Sequence, residues 1–474
     1  MDFVSDLQLP IDDGYGSEVI SDEASFYESN PTEISTTGVR AIKVSPITNI
    51  QGSTVYQFEF KSALNEVIDV KRIKLRLVFQ IVKRDGNNIP EFEADNTTPT
   101  NLSKVVQVNS LGSAFFTGCQ VNVNGTTIEG GDTMYAYKAD IQNRLTHSKD
   151  VKANQLQLSG FTNEYCKWEN LSDNEKDLIW TATAPNPSLP RVNPFIERYL
   201  RSKGSKKFTI ETEIYADFFK EHKFLPPNTT LSIALTKVQH PETFCLLTDQ
   251  NSNYMVKCIS ADLKVQLKLL DEDFVDVSIN NFKNGAPYRT SYTTAEMIRY
   301  SSPQGLTDLG ETDIFKLNSY SPNRFIIVFV DQKAFNGDKK SDPFNYKRHG
   351  VHYFALLRSD GNTRHLPVYM DRWDGDIDEG LANLYQALDL NTDPDESLGI
   401  DYFNFDLGNF FMAFDLQKTE NPGVYSLPDK AVNTVEIKSA ALENPIAKIV
   451  YAEFNTELII DAYGNVTVRK NALA

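Results

Sequence analysis

Histidine, cysteine and closely grouped carboxylates are the side chains from which a catalytic or metal site would be assembled, and in this 474-residue chain they are thinly spread. Of the six histidines, His147, His222, His240, His349, His352 and His365, only His349 and His352 are near neighbours. On a strand their odd spacing sends the two rings to opposite faces, a poor start for a shared metal, so they read as ordinary surface or edge histidines. Copper enzymes built on paired β-sandwiches need more imidazoles in tighter groups. Cys119, Cys166, Cys245 and Cys258 lie far apart and form no C-x-x-C pair, which argues against zinc knuckles and a secreted disulfide framework and for buried free thiols. The densest acidic run, Asp371, Asp374, Asp376, Asp378 and Glu379 around Gly375, suggests a calcium loop by its alternate oxygens. The bidentate glutamate such a loop needs at its twelfth position is missing, and the better reading is a solvated loop whose carboxylates sit at the positive start of a following helix.

Other chemistries fare no better. Neither G-x-G-x-x-G nor G-x-x-x-x-G-K-[ST] occurs, so no nucleotide site is indicated. A carboxylate pair facing a cleft, as glycoside cleavage requires, cannot be read from sequence. Basic and aromatic residues interleave from Asp342 to His349; one such patch in an acidic chain reads better as a turn packed by its aromatics than as a nucleic-acid surface. Sequons at Asn96, Asn124, Asn170 and Asn228 are what chance gives an Asn- and Thr-rich chain made without a secretory signal. The expectation is therefore a non-enzyme with no catalytic, cofactor-binding or metal-binding residues.

The formal charge of −17 opposes specific nucleic-acid binding and is unevenly placed. Before Arg40 there is no Lys or Arg, against Asp2, Asp6, Asp12, Asp13, Glu18, Asp22, Glu23, Glu28 and Glu33. So charged a segment buries too little surface to offset its ordering entropy, and residues 1–37 read as a flexible arm, either a solvated tail or one that orders on a neighbouring subunit. No apolar run approaches the length of a membrane span, and the start lacks the order of a signal peptide, so synthesis in the cytosol is expected.

The elements that carry these residues are β. Hydrophobic residues make up 41% of the chain, with 29 Phe and 21 Tyr, which favours aromatic-packed sheets. Ile73, Leu75, Leu77, Phe79 and Ile81 alternate with mostly polar neighbours; Phe208, Ile210 and Ile214, then Leu231, Ile233 and Leu235, then Ala261, Leu263, Val265, Leu267 and Leu269 do the same. Period two means strands with one buried face. Asn124-Gly125 between two short strands is a tight hairpin signal, and a second hairpin lies at Tyr463-Gly464-Asn465. Helices are predicted over 134–146 and 376–389, and the Pro-, Asn- and Trp-containing stretch 162–206 reads as a long structured loop. The strands fall into two groups, giving an all-β double jelly roll of two eight-stranded sandwiches with short helices in long loops: arm 1–37, first jelly roll 38–272, linker 273–292, second jelly roll 293–474.

One stretch is also familiar. An apolar strand beginning at Arg324 runs into a turn with Ala334, Phe335 and Gly337, followed by Pro343, Phe344, Asn345 and Tyr346. It resembles the second jelly roll of the major capsid (hexon) proteins of Polinton (Maverick) elements and adintovirus-like double-stranded DNA viruses. The segments Val121 to Gly125 with Tyr135 to Ala139, Asp217 to Phe219 with Phe224 to Pro226, and Ile449 to Phe454 extend the likeness over most of residues 40–468. The long acidic arm and the tail from Arg469 to Ala474 depart from it. The resemblance implies a homotrimer whose six jelly rolls form a pseudo-hexagonal capsomer, an icosahedral shell around double-stranded DNA, penton and minor capsid proteins as partners, and a place in the virion. Rival readings are a carbohydrate-binding or glycan-processing protein on paired jelly rolls, which would want a signal peptide and a cleft richer in Trp than three residues allow, and a capsid-like protein domesticated by a host genome.

Overall fold

Alternation along the chain becomes two β-sandwiches in series. The computed structural model describes residues 35–90, 104–130, 133–164, 166–182, 194–249, 254–312, 322–358, 363–371, 376–390, 397–417 and 433–470. Among the described residues ten strands precede residue 271: β1 Thr36–Val44, β2 Val55–Lys61, β3 Glu66–Lys83, β4 Val106–Gln107, β5 Phe116–Val123, β6 Thr126–Glu129, β7 Phe208–Glu213, β8 Thr230–Lys237, β9 Leu246–Leu247 and β10 Tyr254–Leu270. One four-stranded sheet runs β1-β10-β3-β7 and another β2-β8-β5-β6, with β4 and β9 paired apart from them. The inward residues predicted from period two, Leu75, Leu77 and Phe79 in β3, Leu231, Ile233 and Leu235 in β8, Leu263, Val265 and Leu267 in β10, are all buried. Asn124 and Gly125 both take positive φ, 48° and 82°, in the two-residue turn between β5 and β6, the conformation for which that dipeptide is suited.

The second group is β11 Tyr288–Ser302, β12 Glu311–Thr312, β13 Arg324–Asp331, β14 Val351–Arg358, β15 Thr363–Tyr369, β16 Met412–Asp415, β17 Asn433–Ser439, β18 Ile446–Ile460 and β19 Val466–Lys470. They make a sheet β11-β18-β13-β16, with β19 folded back on β18, and a facing sheet β12-β17-β14-β15. Ladder pairing stays within each group. The hairpin anticipated near Tyr463 is the turn from β18 to β19, where Ile460 pairs with Val466. In β13 and β18 nearly every residue is buried rather than every second one. Such strands are covered on both faces: Phe325 stacks on Phe414 on the sandwich side, while the Tyr451 side meets the first half of the molecule, as shown below.

Helices fill the connections: α1 Leu111–Ala114, α2 Tyr135–Leu145, α3 Lys149–Ala153, α4 Asp173–Thr181, α5 Pro194–Ser202, α6 Pro241–Phe244, α7 Glu272–Lys283, α8 Gln332–Phe335, α9 Asp378–Ala387 and α10 Tyr402–Phe405. α2 and α9 are the two predicted helices. The described residues of the expected loop 162–206 include two helices, because Ser172 and Glu175 form a capping box that starts α4 and Pro194 opens α5, each placing a turn-former where a helix tolerates it. The interval 273–292 holds α7, whose acidic first turn follows the Asp271 cap; the carboxylates that break the strand pattern are those that favour a helix start. β1 begins at Thr36, inside the expected arm of 1–37, whose residues 1–34 lie outside the described ones.

Candidate functional site

All eleven residues of α2 are buried, including Lys138, Asp140, Gln142, Asn143 and Arg144. A helix polar on several sides yet hidden from water needs partners on each of them. The first sandwich supplies some through Glu129 of β6 and through Tyr215 and Asp217 of the loop after β7. The rest come from the second sandwich: Gln142 Nε2 donates to Tyr451 Oη at 3.2 Å, and Arg144 Nη2 donates to the Phe344 carbonyl at 3.1 Å. The helix is thus the junction between the two sandwiches.

The motif residues of the second half pack against the first half, the three aromatics among them on this helix. Phe335, at the end of α8, stacks on Tyr137 with ring centroids 5.4 Å apart, and Phe344 packs edge-on against Tyr137 and Phe244. Ala334 and Pro343 are buried beside them. Tyr346 donates its hydroxyl to Asp140 Oδ2 at 2.8 Å while the Arg144 guanidinium lies over its ring. Asn345 Nδ2 donates to Glu169 Oε2 at 2.9 Å. Gly337 takes φ of +90°, and a Cβ there would come within 2.8 Å of Thr243 Oγ1 in the first sandwich, so both the backbone and the close approach ask for glycine.

Beneath this aromatic contact lies a buried ionic cluster. Glu164 is its hub, meeting Lys167 Nζ at 2.5 Å, Arg198 Nη2 at 2.7 Å and Arg144 Nη2 at 3.6 Å; Arg144 Nε also reaches Asp140 Oδ2 at 2.8 Å. Burial alone would raise Glu164, but these three cations override it and hold the carboxyl down to about 2. Asp342, from the second sandwich, has the opposite fate: burial, with Glu164 and Glu169 nearby, pushes it up to about 7. Its Oδ1 accepts the Phe344 N–H at 2.9 Å.

A second ionic group closes the other side of α2. Lys138 Nζ lies 2.7 Å from Glu129 Oε1 and 2.6 Å from Asp217 Oδ2. Burial would pull Lys138 down, yet the two carboxylates more than reverse this and hold it well above the ordinary lysine range. Asp217, which burial would raise, is kept at about 2 by Lys138. Both reach across the junction: Asp217 Oδ2 accepts the Ala295 N–H at 2.7 Å and Lys138 Nζ donates to the Ala295 carbonyl at 3.4 Å. Ala295 is in β11, at the edge of its sheet.

The remaining candidates disperse. Phe344 and Tyr346 make the 342–349 turn aromatic and buried, while its cations are engaged, Lys347 with Asp331 at 3.0 Å and Arg348 with Asp371 and Asp406. His349 sits in a turn at positive φ and His352 is exposed on β14. Cys119, Cys245 and Cys258 are buried and free, Cys166 is half-buried and free, and burial pushes the Cys258 thiol up to about 12. Asp376 Oδ1 accepts the Asp378 N–H at 2.9 Å at the start of α9; Asp374 and Gly375 lie outside the described residues. Among the described residues no group of three or more His, Cys, Asp or Glu is placed to hold a metal ion, and no helix is long and apolar enough to cross a membrane. The junction ions are the feature that sequence reading passed over. Their trace was there in Asp140 with Arg144 and Glu164 with Lys167, ion pairs at helical spacing inside aromatic-rich segments.

Two sandwiches in one chain, joined through helices and long loops, define the double jelly-roll fold of viral major capsid proteins. A chain of the Sputnik virophage matches with a TM-score of 0.62 at 10% identity, covering 97% of this chain and 94% of its own. The mavirus major capsid protein matches with a TM-score of 0.52 at 12% identity over 96% of each chain. The PBCV-1 virus capsid gives a TM-score of 0.54 at 9% identity over 95% of this chain and 100% of that one. In sequence, the uncharacterized Caenorhabditis elegans protein F54H12.2 is 22% identical over 431 residues, 88% of this chain and 93% of that protein. No protein-family profile matches the chain.

Proposed function

We propose that the chain is the major capsid protein of a Polinton- or adintovirus-like double-stranded DNA virus or element, a structural protein without catalytic activity. In this reading residues 38–272 and 293–474 are its two jelly rolls, joined through 273–292. Of the family-signature residues Ala334, Phe335, Gly337, Pro343, Phe344, Asn345 and Tyr346, the aromatic three hold the second jelly roll on α2 while Asn345 and Gly337 meet Glu169 and Thr243 of the first half, so that one chain presents a fixed pair of upright sandwiches. Three chains then make a pseudo-hexagonal capsomer, which tiles an icosahedral shell with penton and minor capsid proteins, in the virion. The observation that carries the reading is the likeness to a virophage chain along 97% of this one, through both sandwiches and not one alone. A symmetric ring of sandwiches also covers strand edges that would otherwise be open to indiscriminate pairing.

A second reading draws on the relative in Caenorhabditis elegans, which matches along 93% of its length: a capsid-like protein carried and retained in an animal genome. It keeps the same fold and self-association. The test is size exclusion with light scattering, followed by negative-stain electron microscopy. Trimers with hexagonal outlines, or closed shells, are expected; a monomer at micromolar concentration without such outlines overturns the proposal.

A further inference from the structure

Beside α7, which connects the two groups of strands, a groove of about 530 Å3 opens between Leu64, Pro226, Pro227, Phe282, Ile460 and Tyr463. Its volume is in the range of about 300–1,000 Å3 that holds compact ligands. Leu64 is 62% exposed and Tyr463 90% exposed, an apolar surface left to water on both walls. Phe282 belongs to α7, which also presents Phe274 and Val277 to solvent, 43% and 55% exposed. Asp461 is the one charged residue in the lining, and its carboxylate already accepts from the N–H groups of Tyr463 and Asn465 and from the Asn465 side chain.

Residues 1–34 join the fold at this same place. The Ser35 carbonyl accepts the N–H of Asp271, the N-cap of α7, at 3.1 Å, and the neighbouring Leu270 N–H donates to Asn65 at 2.9 Å, next to Leu64 of the groove. The 34 residues divide by charge. Residues 1–23 carry seven carboxylates, whereas 24–34 carry only Glu28 and Glu33 and contain the adjacent aromatics Phe26 and Tyr27. Tyr27 is eight residues from Ser35, a span of up to about 26 Å, ample to reach the groove. The seven-carboxylate stretch would be repelled by the like charge of Asp271, the N-cap of α7, and of Glu272, Asp273 and Asp276 within it, so the aromatic stretch is the one whose chemistry suits the groove.

We propose that this groove is the seat of the chain's own N-terminal segment, with Phe26 and Tyr27 filling it and the seven-carboxylate stretch projecting beyond. Tethering one chain-length away makes docking intramolecular, at an effective concentration in the millimolar range, whereas the segment of a second copy has to pay association entropy. Docking of this kind needs no shell, and both measurements below are made on the isolated 474-residue chain.

In a Cys166→Ser background, Tyr27→Cys is combined with Leu64→Cys under mild oxidation. A disulfide within one chain is expected, forming at least tenfold faster than in the same protein carrying Phe26→Ser. An equal rate in both would mean that the tether alone brings the thiols together, and a disulfide between two chains would assign the groove to a neighbour's segment; either result, or no disulfide at all, overturns the proposal. Hydrogen exchange supplies the second measurement. Phe26→Ser with Tyr27→Ser is expected to speed exchange of Asn228, Thr229 and the 461–465 amides at least threefold with unchanged circular dichroism, and unchanged exchange rules the docking out.

Discussion

Glu164 is where removing a single charge tells most about the junction. Its carboxylate lies within 3.6 Å of three cations, Lys167, Arg198 and Arg144, and all of these groups are buried. Glu164→Gln keeps the shape and deletes the anion. Breaking one side of a buried ion pair costs about 3–5 kcal/mol, because the partner stays hidden and uncompensated. Here a neighbour can answer. Asp342, pushed up to about 7 in part by Glu164, is mostly protonated at pH 6; without Glu164, and with the same cations at hand, its pKa falls and it ionises in place of the lost carboxylate. A drop of about two units, which takes the group from mostly protonated to mostly ionised at pH 6, returns about 1.4 kcal/mol, so the net cost at pH 6 is expected at about 2–4 kcal/mol. Asp342→Asn alone keeps the Oδ1 that accepts from Phe344 and loses little at that pH. The double variant has no anion to recruit and loses the full 3–5 kcal/mol, giving a coupling on the order of 1–2 kcal/mol. Urea unfolding at pH 6 and fixed protein concentration measures it, with Trp168 and Trp180, 6.0 Å apart beside Lys167, as the fluorescent reporters. Strictly additive single costs, or a Glu164→Gln loss under about 1 kcal/mol, would refute the reasoning.

Three further outcomes follow from the same geometry. Phe344→Ala empties the space between Tyr137 and Phe244 and is expected to lower stability by about 3–5 kcal/mol in the same unfolding assay. Tyr346→Phe leaves Asp140 without its 2.8 Å hydroxyl donor and should cost about 1–3 kcal/mol; a change under about 0.5 kcal/mol would mean that the contact is idle. Acid acts through Glu164 and Asp217, both held at about 2 against ordinary values of 4.5 and 3.8. Depressed carboxylates contribute stability that is present above the ordinary values and lost as pH falls toward 2, about 2–3 kcal/mol each, so the urea midpoint should fall between pH 5 and pH 2.5, and a flat profile would count against both ion groups.

Strands were legible wherever one face is wet. In β3 and β10 the alternation of apolar and polar residues is the physical consequence of a sandwich with solvent outside, and the pattern located both strands and their inward residues. Asn124-Gly125 was legible for a different reason, since two successive positive φ values leave few residue choices. What could not be read is whatever the second sandwich does to the first. α2 has no apolar stripe, because its surroundings are polar on several sides, so its sequence resembles that of a surface helix although no residue of it is exposed. Nor does sequence spacing show that Glu164, Arg198 and Asp342, up to 178 residues apart, share one buried cluster. The helix α7 within the expected linker was not legible either, because the charge of Asp271, Glu272 and Asp273 that ends a strand pattern equally begins a helix. The motif from Ala334 to Tyr346 was visible as a motif, but only the fold places it against Tyr137, Asp140 and Arg144.

The polarity of the junction has a geometric consequence that apolar packing lacks. β11 ends its sheet, and an open strand edge invites pairing with any other strand. At Ala295 that edge is met by the Asp217 carboxylate on the N–H and the Lys138 ammonium on the carbonyl, two side chains doing together what a neighbouring peptide would do. They reach one residue only. Sliding the second sandwich by a single residue, about 3.3 Å along the strand, would leave Asp217 facing the wrong group and Lys138 half-paired, and buried charges so stranded cost several kcal/mol each. Apolar faces of similar area would tolerate such a slip with a modest repacking loss. The ionic seam therefore selects one relative placement of the two sandwiches, and any assembly that uses the pair as a unit inherits that placement.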